Sequence, residues 1–358
     1  MASRLKTFAL QMIAGANVVS VILMLLIGFS DRLDPREHPL LANLGLSFPI
    51  FLLICLAFMV FFLFTHKKYA LISLLGFVIG YSPIRTYCPL NLGREQPEGS
   101  IKILSYNVHN FDSTNAPEDD PNPILSYILN SDADIVCLQE AFISDDIRSY
   151  ASKYYDYVDT MMTKDHSNSL AVMSKYPILS KEKIKYASRG NLSAAFQLKI
   201  SNDTVTLINN HFEVTGLSPS DRSGFSEMVK GQTERIEVKA ESKRLLVILG
   251  EAMKIRAPQV DAVAKYIDNT PYPVVLCGDF NDNPLSYVRQ TIARNLTDCY
   301  ISSGNGPGWS YHKSGMFVRI DNLLCTNDWE PYEATVDNKV AVSDHYPIFC
   351  WLKKRVKP

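Results

Sequence analysis

Three apolar stretches lie in the first quarter of the chain. Residues 7–30 and 39–65 contain no charged side chain, and each exceeds the roughly 20 apolar residues that a helix needs to cross the hydrocarbon core. Residues 69–84 are also uncharged, but a helix of that length would reach only about 24 Å, as a short span or an interfacial helix. The pattern predicts a membrane anchor at residues 1–95, with two or three transmembrane helices at about 8–29, 45–65 and 69–84.

The distribution of basic residues leaves the orientation of this anchor open. With three spans, four basic residues would lie on each side of the bilayer: Arg4, Lys6, Lys67 and Lys68 on one, and Arg32, Arg36, Arg85 and Arg94 on the other. Because Lys67 and Lys68 directly follow the second span, we expect a multi-pass protein with three spans and an internal N-terminus. The remainder of the chain would then be extracytoplasmic.

The pattern changes at about residue 96. From there to residue 358, short apolar strands alternate with polar turns and amphipathic stretches, which is typical of a folded α/β domain. This region contains 28 basic and 33 acidic residues, a formal charge of −5. A domain that follows a long nucleic-acid backbone usually has the opposite balance.

Several predicted strands of this domain end on polar side chains. Each such residue alone is more commonly a turn former or a helix cap, and Asp321 could form a structural ion pair with Arg319 on the same strand face. Their recurrence favours a site instead, because strand ends converge on one rim in layered α/β folds. The strand-end residues are Asn107, Glu140, His211, Asp279 and Asn281, with Asp321 within a further apolar strand and Asp344 and His345 on a loop.

These residue types favour one kind of chemistry. Carboxylate and amide oxygens, without a cluster of Cys and His, suit a hard divalent cation such as Mg²⁺ or Mn²⁺. A histidine beside a carboxylate suits proton transfer or the binding of an anion. The combination predicts metal-assisted hydrolysis of a phosphoester.

The order of these segments resembles the endonuclease/exonuclease/phosphatase superfamily, which has the DNase I-like fold. The resemblance covers nearly all of residues 100–352, and the anchored arrangement resembles bacterial membrane members of the superfamily. The segments that carry it are Ser105-Tyr-Asn107, Leu138-Gln-Glu140, Ser169-Leu-Ala-Val-Met-Ser-Lys-Tyr-Pro177, Asn209-Asn-His211, Gly278-Asp-Phe-Asn-Asp282, Arg319-Ile-Asp321 and Ser343-Asp-His345.

The resemblance implies a fold and a metal site. The fold would be an α/β four-layer sandwich of two mostly antiparallel β-sheets flanked by helices, in a catalytic domain at residues 96–358. Asn107 and Glu140 match the metal-binding Asn and Glu of the superfamily, and Asp344 matches a further carboxylate at the metal. The implied cofactor is Mg²⁺ or Mn²⁺. His109 stands where some members have another acidic metal ligand.

The resemblance also implies catalytic roles. Asp279 and Asn281 match the pair that contacts the phosphate and the attacking water. His211 matches a phosphate-binding or acid histidine, and Asp321 and His345 match the Asp/His pair. The proton of the water would be taken either by His345, oriented by Asp321, or directly by Asp279.

We therefore expect a membrane-anchored, divalent-metal-dependent phosphoesterase. Its partners would be the lipid bilayer and a phosphoester substrate, which could be a lipid head group, a small phosphoester or nucleic acid, without an obligate protein partner. One alternative is an endonuclease or exonuclease acting on DNA or RNA. A second is an inactive binding module tethered to the membrane.

The stretch from Phe212 to Ala257 has two interpretations. Its amphipathic part, from Glu237 to Arg256, has apolar residues at near-helical spacing, which normally indicates a surface helix packed on the core. The other interpretation is a lid that faces the substrate or the membrane. Deletion of the segment from Gly216 to Gly231 would then change substrate preference without unfolding the protein.

Overall fold

The computed structural model describes residues 2–112, 122–232 and 235–355. The helices are α1 (Ala2–Gly28), α2 (Pro39–Ala42), α3 (Phe48–Thr65), α4 (Lys67–Ile79), α5 (Tyr81–Tyr87), α6 (Pro123–Asn130), α7 (Asp145–Ala151), α8 (Pro219–Val229), α9 (Arg235–Asn269), α10 (Tyr287–Ile292) and α11 (Cys299–Ser303). The strands are β1 (Ile101–Asn107), β2 (Ile135–Gln139), β3 (Tyr157–Met162), β4 (Ser169–Ser174), β5 (Ile178–Ile184), β6 (Leu192–Ile200), β7 (Asp203–His211), β8 (Val274–Asp279), β9 (Thr297–Asp298), β10 (Asp321–Cys325), β11 (Trp329–Val336) and β12 (Ile348–Lys354).

The strands form two six-stranded sheets. The first has the order β11-β12-β1-β2-β4-β3, and the second has the order β5-β6-β7-β8-β10-β9. Each sheet has one parallel pair, β1 with β2 and β7 with β8, and its other neighbouring strands are antiparallel. The predicted pair of mostly antiparallel sheets is confirmed.

Successive side chains along a strand point to opposite faces of its sheet, so each sheet packs on a different layer on each face. In β1, Ile103 is buried among residues of both sheets, including Phe196 of β6. The next residue, Leu104, points to the opposite face and packs with side chains of α6 and α7. On the far side of the second sheet, Val260 and Val263 of α9 pack in a third cluster. Two sheets face each other with helices outside, as the predicted four-layer sandwich requires.

The N-terminal helices are long and apolar enough to cross a membrane. Two helical stretches, Arg4–Arg32 and Pro39–Thr65, meet this criterion on length and composition. The third predicted span, 69–84, is a pair of helices instead, because α4 and α5 meet at Gly80 with a bend of 70°. The pair counts as a third span only if both helices belong to one crossing.

The connection between α1 and α3 lies on the domain that carries the two sheets. Arg36 donates from Nη1 to Asp261 Oδ2 of α9 at 2.8 Å and from Nη2 to the Tyr287 hydroxyl of α10 at 3.1 Å. Further along the connection, the Asn43 side-chain amide donates to the carbonyl of Leu246 in α9 at 3.2 Å. The N-terminal part of α9 therefore packs on this connection rather than on a sheet.

A second contact between the N-terminal helices and the domain with the two sheets, here called the junction, lies at the end of α5. Arg319 is 1% exposed, and its guanidinium donates to the carbonyls of Thr86, Tyr87 and Pro307, the last two at 3.3 and 2.5 Å. The alternative in which Arg319 pairs with Asp321 is wrong. Strand β10 begins only at Asp321, so strand alternation does not extend back to Arg319.

The stretch between β7 and β8 forms α8 and α9. Helix α8 begins with a capping box, in which Ser218 and Asp221 exchange hydrogen bonds. Along the amphipathic run of α9, Leu245 and Met253 are buried while Leu246 is 44% exposed. Only the C-terminal half of α9 covers the second sheet.

Candidate active site

Strand register brings the predicted polar residues to one rim. His211 ends β7 opposite Asp279, which ends β8, and Asp279 is opposite Asp321 at the start of the antiparallel β10. Asn107 ends β1 in the facing sheet, and Glu140 directly follows β2. Because the two sheets are stacked, these rims meet above the core.

Unusual backbone geometry positions two of these groups. A Cβ at Gly278 would lie 2.0 Å from the carbonyl oxygen of Asn210, and the φ of Gly278 is 132°, so only glycine fits before Asp279. Glu140 and Asn281 have φ values of 51° and 52°, a conformation that costs energy in residues with a side chain. Such local strain is common at functional sites.

Asn107 lies between two carboxylates. Its amide nitrogen is 3.1 Å from Asp279 Oδ2 and 3.3 Å from Glu140 Oε1, while its Oδ1 accepts the His109 N–H at 3.2 Å. Asn107 and Asp279 are each 1% exposed, whereas the Glu140 side chain is 26% exposed. The Asn107 NH₂ group, which carries a partial positive charge, thus lies between two carboxylate oxygens, in a position that would also suit a cation.

His211 is oriented by a residue that sequence reasoning missed. Asn168 accepts the Ser169 N–H with Oδ1 at 2.8 Å, so its Nδ2 faces His211 Nδ1 at 3.0 Å. The neutral ring therefore carries its proton on Nε2. That nitrogen is 3.6 Å from Glu140 Oε1 and 3.8 Å from Asp279 Oδ2, and it is buried without a hydrogen-bond partner among the described residues.

The predicted Asp/His pair is present and reaches Asp279. His345 Nδ1 is 2.8 Å from Asp321 Oδ2, and His345 Nε2 is 3.7 Å from Asp279 Oδ2. Burial lowers the pKa of His345, but the negative charges of Asp321 and Asp279 outweigh it and raise the pKa to about 10. Burial raises the pKa of Asp279 to about 6, with His345 acting in the opposite direction.

Three other predicted residues lie less centrally. Asn281 donates its backbone N–H to Asp279 Oδ1 at 2.7 Å, and its side-chain amide donates to the Phe212 carbonyl at 3.0 Å. Asp344 is partly buried beside His345, and its carbonyl accepts the His312 N–H at 3.2 Å. The structure records no contact of the Asp344 carboxylate with Asn107 or Glu140 among the described residues. His109 is exposed, with a φ of 42°.

Three further polar residues support the site. Ser310 Oγ accepts the N–H groups of Ile320 and Asp321, both at 3.0 Å. Gln139 donates to Asn209 Oδ1 at 2.7 Å and so links the two sheets below the rim. Gln139 and Asn209 belong to the matching sequence segments, but nothing in the sequence near Ser310 indicated its role.

The donor set fits a hard divalent cation. The partly exposed Glu140 carboxylate and the oxygen-rich surroundings suit Mg²⁺ or Mn²⁺. The buried His211 Nε2–H, which has no partner among the described residues, can instead donate to an anion. In its present orientation the Asn107 amide presents nitrogen to the carboxylates, and the reversed amide would present Oδ1. A separate group, Asp279, Asp321 and His345, has potential ligand atoms within 4.8 Å of one another. Its hydrogen bond between His345 and Asp321 suits proton transfer instead.

The rim, the buried acid–histidine pair and the stacked sheets define a protein of the DNase I-like class. A model described as "Endonuclease/Exonuclease/phosphatase family" matches residues 104–345, which is more than half of the chain. The chain therefore belongs to this family, whose members are metal-dependent phosphoesterases or nucleases. A second model, "Domain of unknown function (DUF8431)", matches residues 10–87. No curated protein matches the chain.

Solved structures share the fold at low sequence identity. A humanized D. rerio TDP2 is 17% identical with a TM-score of 0.51, and the match covers 71% of this chain and 99% of that one. An endonuclease/exonuclease/phosphatase from Beutenbergia cavernae is also 17% identical with a TM-score of 0.51, covering 71% and 72% of the two chains. D. rerio TDP2 complexed with a single-strand DNA product is 16% identical with a TM-score of 0.50, covering 72% and 100%. These similarities support the fold.

Proposed function

We propose that the protein is a membrane-anchored phosphoesterase that depends on a divalent metal and uses water as the nucleophile. The observation that carries the proposal is the buried Asp321–His345 pair next to Asp279, within a rim that also holds Asn107 and Glu140. A binding module has no chemical need for so many buried ionisable groups with unpaired atoms. Family membership supports the same class of reaction.

Asn107 and Glu140 would hold Mg²⁺ or Mn²⁺, with Asp344 as a further carboxylate near the metal. When bound, the cation would polarise a phosphoryl oxygen and stabilise charge on the leaving oxygen. His211 donates from Nε2 toward the same space and is suited to bind an anionic phosphoryl oxygen. Asn168 maintains that orientation.

In this mechanism a water attacks phosphorus in line with the leaving oxygen, and one P–O bond forms as the other breaks. The water loses its proton to Asp279 or, when its ring is neutral, to His345; Asp279 Oδ2 and His345 Nε2 are 3.7 Å apart and can reach the same water. Asp321 orients His345, while the backbone N–H of Asn281 orients Asp279. The Asn281 side chain would then contact the phosphate or the water.

The test is hydrolysis of bis-p-nitrophenyl phosphate by the full-length protein in detergent, with Mg²⁺ or Mn²⁺ and with EDTA. We expect turnover only with metal, and loss of that turnover in Glu140→Ala. Glu95→Ala, at an exposed carboxylate, is the matched control and should retain full activity. Absence of metal-dependent turnover on this diester and on a panel of other phosphoesters would favour the inactive binding module.

We also propose that residues 1–95 form the anchor, residues 96–358 the catalytic domain, and that the anchor crosses the membrane three times. The connection after α1 and the chain after α5 both contact the catalytic domain, through Arg36 and Arg319. Both therefore lie on the same side of the bilayer. If α1 and α3 cross it, α4 and α5 together must bring the chain back.

This topology places the N-terminus and Lys67-Lys68 on the side opposite the catalytic domain. An inside N-terminus makes the domain extracytoplasmic. Reporter fusions after Pro358 and after Lys68 test it: we expect only the first to be active as an extracytoplasmic reporter. Cytoplasmic activity of the fusion after Pro358 would contradict the orientation, and equal location of both fusions would contradict three crossings.

A further inference from the structure

Two large aromatic side chains are exposed on the loop before β10. The rings of Trp309 and Phe317 lie 5.5 Å apart between centroids with an interplanar angle of 47°, and the residues are 44% and 54% exposed. A bridge between Tyr311 and Val318 closes the loop into a short hairpin. Aromatic surface that is clustered rather than scattered marks an interaction site.

One end of this loop is fixed to the chain that leaves the membrane helices. The Gly306 N–H donates to the Pro89 carbonyl at 2.9 Å, and the Asn91 N–H donates to Asn305 Oδ1 at 2.6 Å. The adjacent Leu90 and Leu92 are 78% and 93% exposed. Leu90 and Leu92 thus lie within five residues of Tyr87, the end of α5, on a segment that is hydrogen-bonded to the loop that carries Trp309 and Phe317.

The other side of the hairpin forms a wall of the candidate active site. Ser310, next to Trp309, accepts the N–H of Asp321 at 3.0 Å. The Tyr311 ring meets the His345 ring edge-on, with centroids 5.2 Å apart. A membrane or partner surface that binds Trp309 therefore also determines which molecules can approach His345.

We propose that the hairpin with Trp309 and Phe317 inserts into the bilayer interface, and that the substrate is a phosphoester head group of a lipid in that same leaflet. This inference rests on the proposed phosphoesterase function. Tryptophan and other aromatic side chains favour the interface, where the ring contacts acyl chains and the polar edge meets water. The loop is hydrogen-bonded to the chain that leaves α5, so the bilayer surface is the occupant that the chain itself brings to Trp309 and Phe317. The domain's formal charge of −5 agrees with a substrate that presents one phosphate rather than a long polyanion.

The first test locates Trp309 in the full-length protein. The protein is reconstituted in phosphatidylcholine vesicles with and without brominated acyl chains, and tryptophan fluorescence is compared with that of Trp309→Phe. The chain has three tryptophans, so the variant isolates the signal of Trp309. We expect bromine quenching to be clearly stronger in the unchanged protein. Equal fractional quenching in both would overturn the insertion.

The second test compares two substrates for each variant. Release of water-soluble phosphate or head group is measured from vesicles of phosphatidylethanolamine, phosphatidylglycerol, cardiolipin and phosphatidate, alongside hydrolysis of bis-p-nitrophenyl phosphate. For the double variant Trp309→Ala/Phe317→Ala, we expect the ratio of lipid to soluble turnover to fall at least about tenfold, the loss expected for removing one or two anchored side chains. Tyr154→Ala, an exposed aromatic residue beyond α7, is the control and should leave the ratio unchanged.

The outcomes separate this inference from the function on which it rests. Soluble turnover without any release from the vesicles, or an unchanged ratio in the double variant, would overturn the lipid substrate and leave the phosphoesterase standing. Absence of turnover on both substrates in the unchanged protein would overturn the phosphoesterase function itself. Plasmid cleavage far faster than either reaction, and abolished by Glu140→Ala, would replace the lipid by nucleic acid.

Discussion

Arg319 and Asp321 are two residues apart and both buried, yet they belong to different kinds of network. The guanidinium of Arg319 donates to two carbonyls of the anchor, those of Thr86 and Tyr87, and to the carbonyl of Pro307 in the catalytic domain, and so joins the two regions. Asp321 holds His345 with one oxygen, while its Oδ1 has no hydrogen-bond partner among the described residues. The first network is satisfied and structural, whereas the second retains buried atoms able to bind a substrate or a proton.

This difference has an energetic meaning. A buried polar atom without a partner costs about 1–3 kcal/mol, and it persists only where surrounding contacts determine its position. At the site, Ser310 holds the backbone of Asp321, and Asn168 holds His211. The active site should therefore tolerate loss of its own groups better than the junction does.

Removal of Asp279 or His345 should produce the largest effect. A general base contributes about 10² to 10⁴ in rate. The kcat of Asp279→Ala and that of His345→Ala on bis-p-nitrophenyl phosphate should therefore each fall at least about 100-fold. Binding of Mn²⁺, measured by calorimetry, should remain nearly normal. Full activity in either variant would remove that residue from the mechanism.

Arg319→Met should destabilise the protein without touching the catalytic groups. Three carbonyls lose their donor in a buried place, so we expect a loss of about 3 kcal/mol or more in the free energy of unfolding. Denaturant unfolding of the full-length protein in detergent measures it. Arg294→Met, at an exposed arginine, is the control. An Arg319→Met protein as stable as the control would mean that the junction is not a stabilising network.

The pair of His345 and Asp321 should also make stability depend on pH. The pKa of His345 rises in the folded protein from 6.5 to about 10, so the pair stabilises the fold fully below about pH 6.5 and loses this contribution as pH rises through about 10. The difference in Tm between the unchanged protein and His345→Gln should therefore shrink over that range. A difference that grows with pH would contradict the charged pair.

Asn168→Ala should produce the smallest of these effects. One hydrogen bond to His211 is lost, worth about 1 kcal/mol, or roughly a fivefold to tenfold lower kcat. If Asn168 only positions His211, KM should change little, and Tm should fall by no more than the same free energy implies. A loss as large as that of Asp279→Ala would instead place Asn168 in direct contact with the substrate.

Much of the architecture was predictable because it depends on local pattern. Uncharged runs as long as residues 7–30 and 39–65 indicate possible membrane spans without any knowledge of packing. Strands with polar ends, such as those of Asn107 and His211, predicted a common rim, and in the structure the Asn107 amide lies 3.1 Å from Asp279, which is opposite His211. The bend at Gly80 was not predicted, since hydropathy reports composition and not the path of the helix axis.

The sequence by itself determined which side chains could do chemistry, because their types and their places at strand ends are local properties. Only the tertiary structure decided their partners. Asn168 reaches His211 across 43 positions, and Arg319 reaches Tyr87 across 232. Such contacts arise when sheets stack and helices dock, since burial forces each polar group to find whichever donor or acceptor the fold places nearby. For this reason Arg319 and Asp321, close in sequence, belong to different networks.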